Sequence, residues 1–168
     1  MLRIMESKKK IIALSVALGA VINQNRLLLI KRNFEPFVGF WGMPGGKIHF
    51  GEHLDQAIIR EIFEECHIKT EWVKLCGVVT ENLYIDNAKS MHYLLHICQL
   101  KSIGAAIKPS NEGEIRWFNM SKIAEIRNKM IPSDFVMLQK LVLTKPKKFY
   151  YRCEVVKKNN EYEIKSFQ

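Results

Sequence analysis

A run of acidic residues at helical spacing is the part of this sequence most suited to chemistry. Glu61, Glu64 and Glu65 are three and four residues apart, so a helix over His53 to Cys66 would place them on one stripe. Like charges at these spacings repel each other, which mildly destabilises such a helix. A hard divalent cation would compensate, because Mg²⁺ takes oxygen ligands and often bridges carboxylates and substrate phosphates. A solvated acidic helix face is the plain alternative.

The residues around this stripe favour the metal interpretation. Gly45-Gly46 precedes the predicted helix, Glu52 opens it, and Arg60 stands directly before the first glutamate. This spacing resembles the signature of the Nudix hydrolases, G-x5-E-x7-R-E-U-x-E-E-x-G-U, in which U is a bulky apolar residue. The resemblance covers most of residues 11 to 143. The matching positions of the signature are Gly46, Glu52, Arg60, Glu61, Ile62, Glu64, Glu65 and Ile68.

One position of the signature differs, because His67 stands where the family has its last glycine. That glycine follows the helix, where a left-handed backbone conformation often ends it. Histidine is enriched among the non-glycine residues that adopt this conformation. We therefore expect His67 to be left-handed at a cost of roughly 1 kcal/mol, without loss of chemistry.

The resemblance implies a divalent metal, Mg²⁺ or alternatively Mn²⁺, bound by this region. It implies Glu61 and Glu65 as leading ligands, Glu64 as a direct or water-mediated contact, and the backbone carbonyl of Gly45 as a further ligand. Arg60 would orient a glutamate through a charge-assisted hydrogen bond. The remaining box residues, Gly46, Glu52 and His67, would be structural, with Glu52 interacting with the helix dipole.

The residue that activates the attacking water is left open between two places. One is Glu64, and the other is the loop acid Glu112 or Glu114, which precedes the aromatic strand-like segment Ile115 to Phe118. In some members of the family an acid before this strand supplies a metal ligand or helps the water. A plain loop acid is the alternative for either residue.

Three residues are candidates for contact with the substrate. Lys47 follows the glycines and could act on a phosphate as a point charge, or be an ordinary surface lysine. Arg32 ends the strand-like RLLLIKR segment before the box. Phe40 belongs to a loop with three phenylalanines, which either lines the entrance for a nucleobase or covers the edge of the core.

The fold that the resemblance implies is α/β, a mixed β-sheet between helices in an α/β/α sandwich. A basic tail (1–10) would precede the Nudix domain (11–144), and a C-terminal β-hairpin (145–168) would extend the same domain. Serines and an aspartate are predicted helix caps: Ser121 for a short helix, and Ser133 or Asp134 for a helix over Pro132 to Leu143. Strands are predicted over Ile11–Ile22, Arg26–Lys31, Trp72–Leu83, Met91–Leu100, Lys148–Val156 and Tyr162–Phe167.

Composition and charge limit the remaining possibilities. The net charge is +9, with +3 in residues 1–10 and +4 in residues 145–168. Basic ends attract polyanions, but no RNA-binding motif accompanies them, so solvated tails are expected and nucleic acid is not the predicted partner. The four cysteines have no paired spacing, which indicates free thiols and a reducing, cytoplasmic location. The first apolar run is too short to span a membrane.

The function implied by the resemblance is hydrolysis of the diphosphate link of a nucleoside diphosphate derivative. Two substrate classes stay open: a nucleoside diphosphate sugar such as ADP-ribose, and a canonical or oxidised nucleoside triphosphate, as for MutT-type enzymes. A homodimer formed by exchange of the C-terminal hairpin is a further alternative. A non-catalytic Nudix-fold nucleotide sensor and an RNA-cap hydrolase are the competing functions. The complete set of box carboxylates argues against the sensor.

Overall fold

The computed structural model describes residues 13–108 and 111–168, and the predicted basic tail lies outside them. In these residues nine strands form one mixed sheet in the order β3-β2-β1-β6-β5-β8-β9, with β4 beside β1 and β7 beside β2. The strands are β1 (Leu14–Asn23), β2 (Arg26–Arg32), β3 (Trp41–Gly42), β4 (Gly45–Lys47), β5 (Lys69–Ile85), β6 (Ala88–Ile103), β7 (Gly113–Asn119), β8 (Tyr150–Lys158) and β9 (Glu161–Phe167).

Helices cover both faces of this sheet, which confirms the predicted mixed sheet between helices. Helix α1 (Leu54–Cys66) packs on one face. A 3-10 helix (Met120–Lys129), helix α2 (Pro132–Met137) and a following π-helical turn (Leu138–Val142) pack on the other.

The period of two along the strands explains why two separate cores form. In β2, Leu28 belongs to the core under α1, while Leu27 and Leu29 belong to the core on the opposite face. Helix α1 completes its core with Ile58 and Ile62, which are fully buried. Each such side chain contributes about 1.5–3 kcal/mol when it leaves water, so this face fixes the orientation of α1.

The strands that position the glycine turn are held from two sides. Strand β1 runs parallel to β6 over nine residue pairs and antiparallel to β4, where Leu18 pairs with Gly45 and Ala17 with Gly46. The backbone N–H of Gly19 also donates to the carbonyl of Pro44 at 2.8 Å. The glycine turn is therefore part of the sheet and not a loose loop before the helix.

Several element boundaries differ from the sequence predictions. Strands β5 and β6 are longer than predicted and meet at the left-handed pair Asp86-Asn87. The C-terminal hairpin is confirmed as β8 and β9, and β8 joins the sheet in parallel alongside β5. Because that pairing extends the central sheet, the hairpin is part of the same folded unit.

The predicted helix caps were wrong. The 3-10 helix is capped by Asn119, whose side-chain oxygen accepts from the backbone N–H of Ser121. Helix α2 begins at Pro132 after Ile131, so Ser133 and Asp134 lie inside its first turn and do not cap it. The Asp134 carboxylate instead accepts the backbone N–H of Met43 at 2.7 Å.

The four cysteines are free, as the sequence predicted, and all four are buried. Burial raises the pKa of the thiols at Cys66 and Cys98 to about 12, so neither is a reactive thiolate.

Within residues 13–108 and 111–168, no helix combines the length and the apolar character needed to cross a bilayer.

Candidate active site

The glycine turn and helix α1 meet through one of the predicted metal ligands. The backbone N–H of Gly45 donates to Oε2 of Glu65 at 2.9 Å, across twenty residues of sequence. Gly45 has a φ of +145°, and a Cβ there would overlap the carbonyl oxygen of Ala17 in β1. A residue without a side chain is therefore required where the backbone passes between β1 and this carboxylate.

The second predicted ligand lies against the next glycine. A Cβ on Gly46 would sit 2.5 Å from the carboxyl carbon of Glu61, so any side chain at this position would push the carboxylate away. Glu61 and Glu65 are one turn apart on α1. Gly46 therefore faces Glu61, and Gly45 faces Glu65 on the next turn. The predicted role of Gly46 as a structural box residue stays a prediction, and this close approach is its physical basis.

Arg60 connects the glutamates of the box. Its guanidinium donates two hydrogen bonds to Glu52, at 2.8 and 2.9 Å, and one to Glu61 at 2.8 Å. It also contacts Glu64 at 3.1 Å and the carbonyl of Lys47 at 3.2 Å. The bond from Arg60, followed by that from the backbone N–H of His49, holds the pKa of Glu52 at about 2. Glu52 precedes α1 and therefore does not open it, contrary to the prediction.

A cleft of about 560 Å³ extends from the box across the sheet. Glu61 and Glu65 line it, and so do three residues from other elements. These are Arg32 at the end of β2, Lys47 at the end of β4, and Glu112 just before β7. The structure thus gathers predicted site residues from four separate segments around one opening.

Other predicted site residues lie elsewhere. Glu64 is largely exposed beside Arg60, and Glu114 forms an ion pair with Arg116. Phe40 lines a separate groove next to Tyr162, whereas Phe37 of the same loop lines the cleft. The structure therefore brings Glu112, and not Glu64 or Glu114, into the cleft among the three candidate bases. The predicted substrate contact at Phe40 stays a prediction, and Phe37 is the phenylalanine of that loop that lines the cleft.

Glu65 lies at the box end of the cleft, where burial and two neighbouring carboxylates act on it. Burial raises the pKa of Glu65 to about 8, and the charges of Glu61 and Glu112 add to this effect, while the bond from Gly45 opposes it. Among the described residues, no three side chains of His, Cys, Asp or Glu converge closely enough to hold a metal alone. The carboxylate oxygens of Glu61 and Glu65 are of the donor type that Mg²⁺ prefers, and Mg²⁺ commonly completes its shell with water and substrate phosphates.

The left-handed conformation predicted for His67 is confirmed. It has φ 54° and ψ 29° and ends α1, with its backbone N–H donating to the carbonyl of Phe63. The helix thus ends in the expected way without the family glycine.

The sequence analysis missed two cleft residues, Glu81 and Asp134. Glu81 in β5 is 2% exposed and shares one face of the strand with the fully buried Val79 and Leu83. An acid at an inward position of a buried strand was the signal that could have identified it. Asp134 was noted only as a helix cap, and no local pattern relates it to Met43.

Comparison with known proteins agrees with the geometry. The model of the NUDIX domain matches residues 13–141. An ADP-ribose pyrophosphatase from Methanocaldococcus jannaschii is 30% identical over 109 residues, which cover 64% of this chain and 63% of that protein. An 8-oxo-dGTP diphosphatase from Proteus vulgaris is 32% identical over 80 residues, which cover 46% of this chain and 69% of that protein.

Solved structures share the fold at lower identity. A structure described as the mutator MutT protein from Bacillus halodurans has a TM-score of 0.74 at 20% identity, covering 92% of this chain and 96% of that one. The chain belongs to the Nudix hydrolase family.

Proposed function

We propose that this protein hydrolyses the diphosphate link of a nucleoside diphosphate derivative, with a divalent cation, to a nucleoside monophosphate and a second phosphorylated product. The observation that carries the proposal is the placement of Glu61 and Glu65 against Gly45 and Gly46 in the wall of one cleft. A stability argument does not place two carboxylates there, since burial and the charge of Glu61 both raise the pKa of Glu65.

The donor set at this place consists of oxygen atoms, which suits Mg²⁺ or Mn²⁺. Glu61, Glu65 and the carbonyl of Gly45 would hold the cation. Bound there, it would neutralise phosphate oxygens and help to activate water. Arg60 contributes by fixing Glu61, because its fork is anchored on Glu52 by two hydrogen bonds and cannot rotate freely.

The other charged residues of the cleft have complementary tasks. Arg32 and Lys47 bring positive charge to the cleft, where they would bind phosphate oxygens of the substrate. Glu112 is the candidate acceptor for the proton of the attacking water, since it lies in the cleft on a different element from the ligands.

The four buried thiols support a reducing, cytoplasmic setting for this activity.

Two substrate classes follow from the relatives, since one is named for ADP-ribose and another for 8-oxo-dGTP. They differ in their products: a nucleoside diphosphate sugar releases a sugar phosphate, whereas a triphosphate releases pyrophosphate. A panel of both classes with Mg²⁺, analysed for these products, decides between them.

The test of the reaction itself uses the variant Glu65→Gln. Loss of the charge should lower kcat/KM for the best substrate by about 100-fold or more, since the site would lose a ligand. The control Glu125→Gln removes an exposed acid of the 3-10 helix and should retain wild-type activity. Equal turnover by Glu65→Gln and wild type would refute the metal site, and nucleotide binding without turnover by wild type would favour a sensor.

A further inference from the structure

The loop before β3 (residues 33–40, called here the cleft loop) forms one wall of the cleft. Glu35, Pro36 and Phe37 of this loop line the cleft. The Nε of Arg32 donates a hydrogen bond to the carbonyl of Pro36 at 2.9 Å, so the loop also orients the guanidinium that we assign to substrate phosphates. A displacement of the cleft loop would therefore change both the lining of the cleft and the position of its cation.

The backbone of Phe37 shows that the cleft loop depends on what holds it. Phe37 has a φ of 68°, which is uncommon for a residue with a bulky side chain. Such a conformation persists where the surrounding structure fixes it. The backbone N–H of Phe37 donates to the Tyr162 hydroxyl at 3.1 Å, and the two ring centroids are 4.3 Å apart. Tyr162 of the C-terminal hairpin is therefore one anchor of the loop.

The hairpin contacts the same loop at a second point, through Glu35. The Tyr162 hydroxyl donates to Oε2 of Glu35 at 2.9 Å, and the Lys157 ammonium donates to Oε1 at 3.0 Å. The bond from Lys157, followed by that from Tyr162, lowers the pKa of Glu35. The bond to Glu35 raises the pKa of Lys157, so both groups are charged near neutral pH.

Stability alone does not explain this network well. The Glu35 side chain is 63% exposed, and an ion pair with an exposed partner contributes little to the free energy of unfolding. Lys157 and Tyr162 also lie beyond residues 13–141, which the NUDIX model matches. Strand β8 is nevertheless a firm base for them, because it pairs with β5 over eight residue pairs. An extension of the domain thus connects a fixed part of the sheet to the wall of the cleft.

We propose that Glu35, Lys157 and Tyr162 form a latch by which the C-terminal hairpin positions the cleft loop and sets the affinity for the substrate. The three are positioning residues, since they act on the substrate through Phe37 and Arg32. The inference rests on the proposed function for the reaction, and it assigns a task to the hairpin.

The variants Glu35→Ala and Lys157→Met and their double variant test the latch through KM and kcat for the best substrate with Mg²⁺. Each single variant should raise KM about three-fold and leave kcat within about two-fold, as expected for loss of an exposed ion pair. The double variant should raise KM no further than Glu35→Ala, because both changes open the same latch. The sign is informative, since loss of the negative charge of Glu35 from a cleft that binds anions would by itself lower KM.

Hydrogen exchange of the intact protein provides a measurement that does not need turnover. The backbone amides of the cleft loop should exchange faster in both single variants than in wild type, because the loop opens more often. Lys158→Met removes an exposed lysine next to Lys157 and is the matched control, which should keep wild-type KM and exchange.

Three results would overturn the latch: a KM that falls or stays constant in Glu35→Ala, additive effects in the double variant, or unchanged exchange of the cleft loop. Turnover by wild type that is lost in Glu65→Gln would leave the proposed function standing in each of these cases. Faster loop exchange in the variants of a protein that hydrolyses no substrate of the panel would refute the proposed function and leave the latch standing.

Discussion

Replacing Asp134 with asparagine should make the stability of this protein less dependent on pH. Burial raises the pKa of Asp134 from the ordinary 3.8 to about 7. The neighbouring charge of Glu81 acts in the same direction, while the N–H of Met43 and the charge of Arg32 oppose it. Asparagine keeps an oxygen that accepts the Met43 N–H, but it cannot ionise.

The sign and size of the effect follow from proton linkage. Between about pH 4 and pH 7 the folded state keeps a proton on Asp134 that the unfolded chain has lost, so the free energy of unfolding falls as pH rises. The full difference in pKa corresponds to about 4 kcal/mol as an upper bound. Relaxation around the charged group reduces this, and we expect a difference of about 2–3 kcal/mol between the ends of the range.

Urea unfolding followed by tryptophan fluorescence measures this directly. The free energy of unfolding of Asp134→Asn minus that of wild type should increase by this amount between about pH 4.5 and pH 8, because only wild type loses stability as the carboxyl ionises. Asp55→Asn, which removes an exposed acid in the first turn of α1, is the control for a general charge effect. A difference between Asp134→Asn and wild type that stays constant across the range would refute the reasoning.

Three further variants test how the site is positioned. Arg60→Lys should lower kcat by about ten-fold or more, because an ammonium cannot keep both bonds to Glu52 while also holding Glu61. An unchanged kcat would contradict this. His67→Gly should raise the free energy of unfolding by about 1 kcal/mol in urea titrations, since φ is 54°, and a loss of stability would exclude strain there. Tyr162→Phe keeps the ring contact with Phe37, at 4.3 Å between centroids, but removes the hydroxyl that accepts the backbone N–H of Phe37. Because this bond holds the loop that lines the cleft, KM should rise with little change in kcat. A fall in kcat alone would show that the bond does not position the loop.

The features that the sequence predicted well are those encoded over short distances. The helix with its acidic stripe, the glycines before it and the left-handed ending at His67 follow from spacing within about twenty residues. The C-terminal hairpin was also predictable, because alternating strands flank an Asn159-Asn160 turn. The helix caps failed, because Asp134 bonds to Met43, ninety-one residues away, instead of to its own helix.

The spacing of residues along the chain was enough to indicate the family, the box helix and the residue types suited to a cation beside a diphosphate. Which acids share the cleft became visible in the folded chain: Glu112 lies in it, while Glu114, two residues later, forms an ion pair with Arg116. It also places Glu81 and Asp134 in the lining of the same cleft, although they belong to distant segments. Local patterns fix which way a side chain points from its own strand or helix, but the packing of distant segments fixes what it faces.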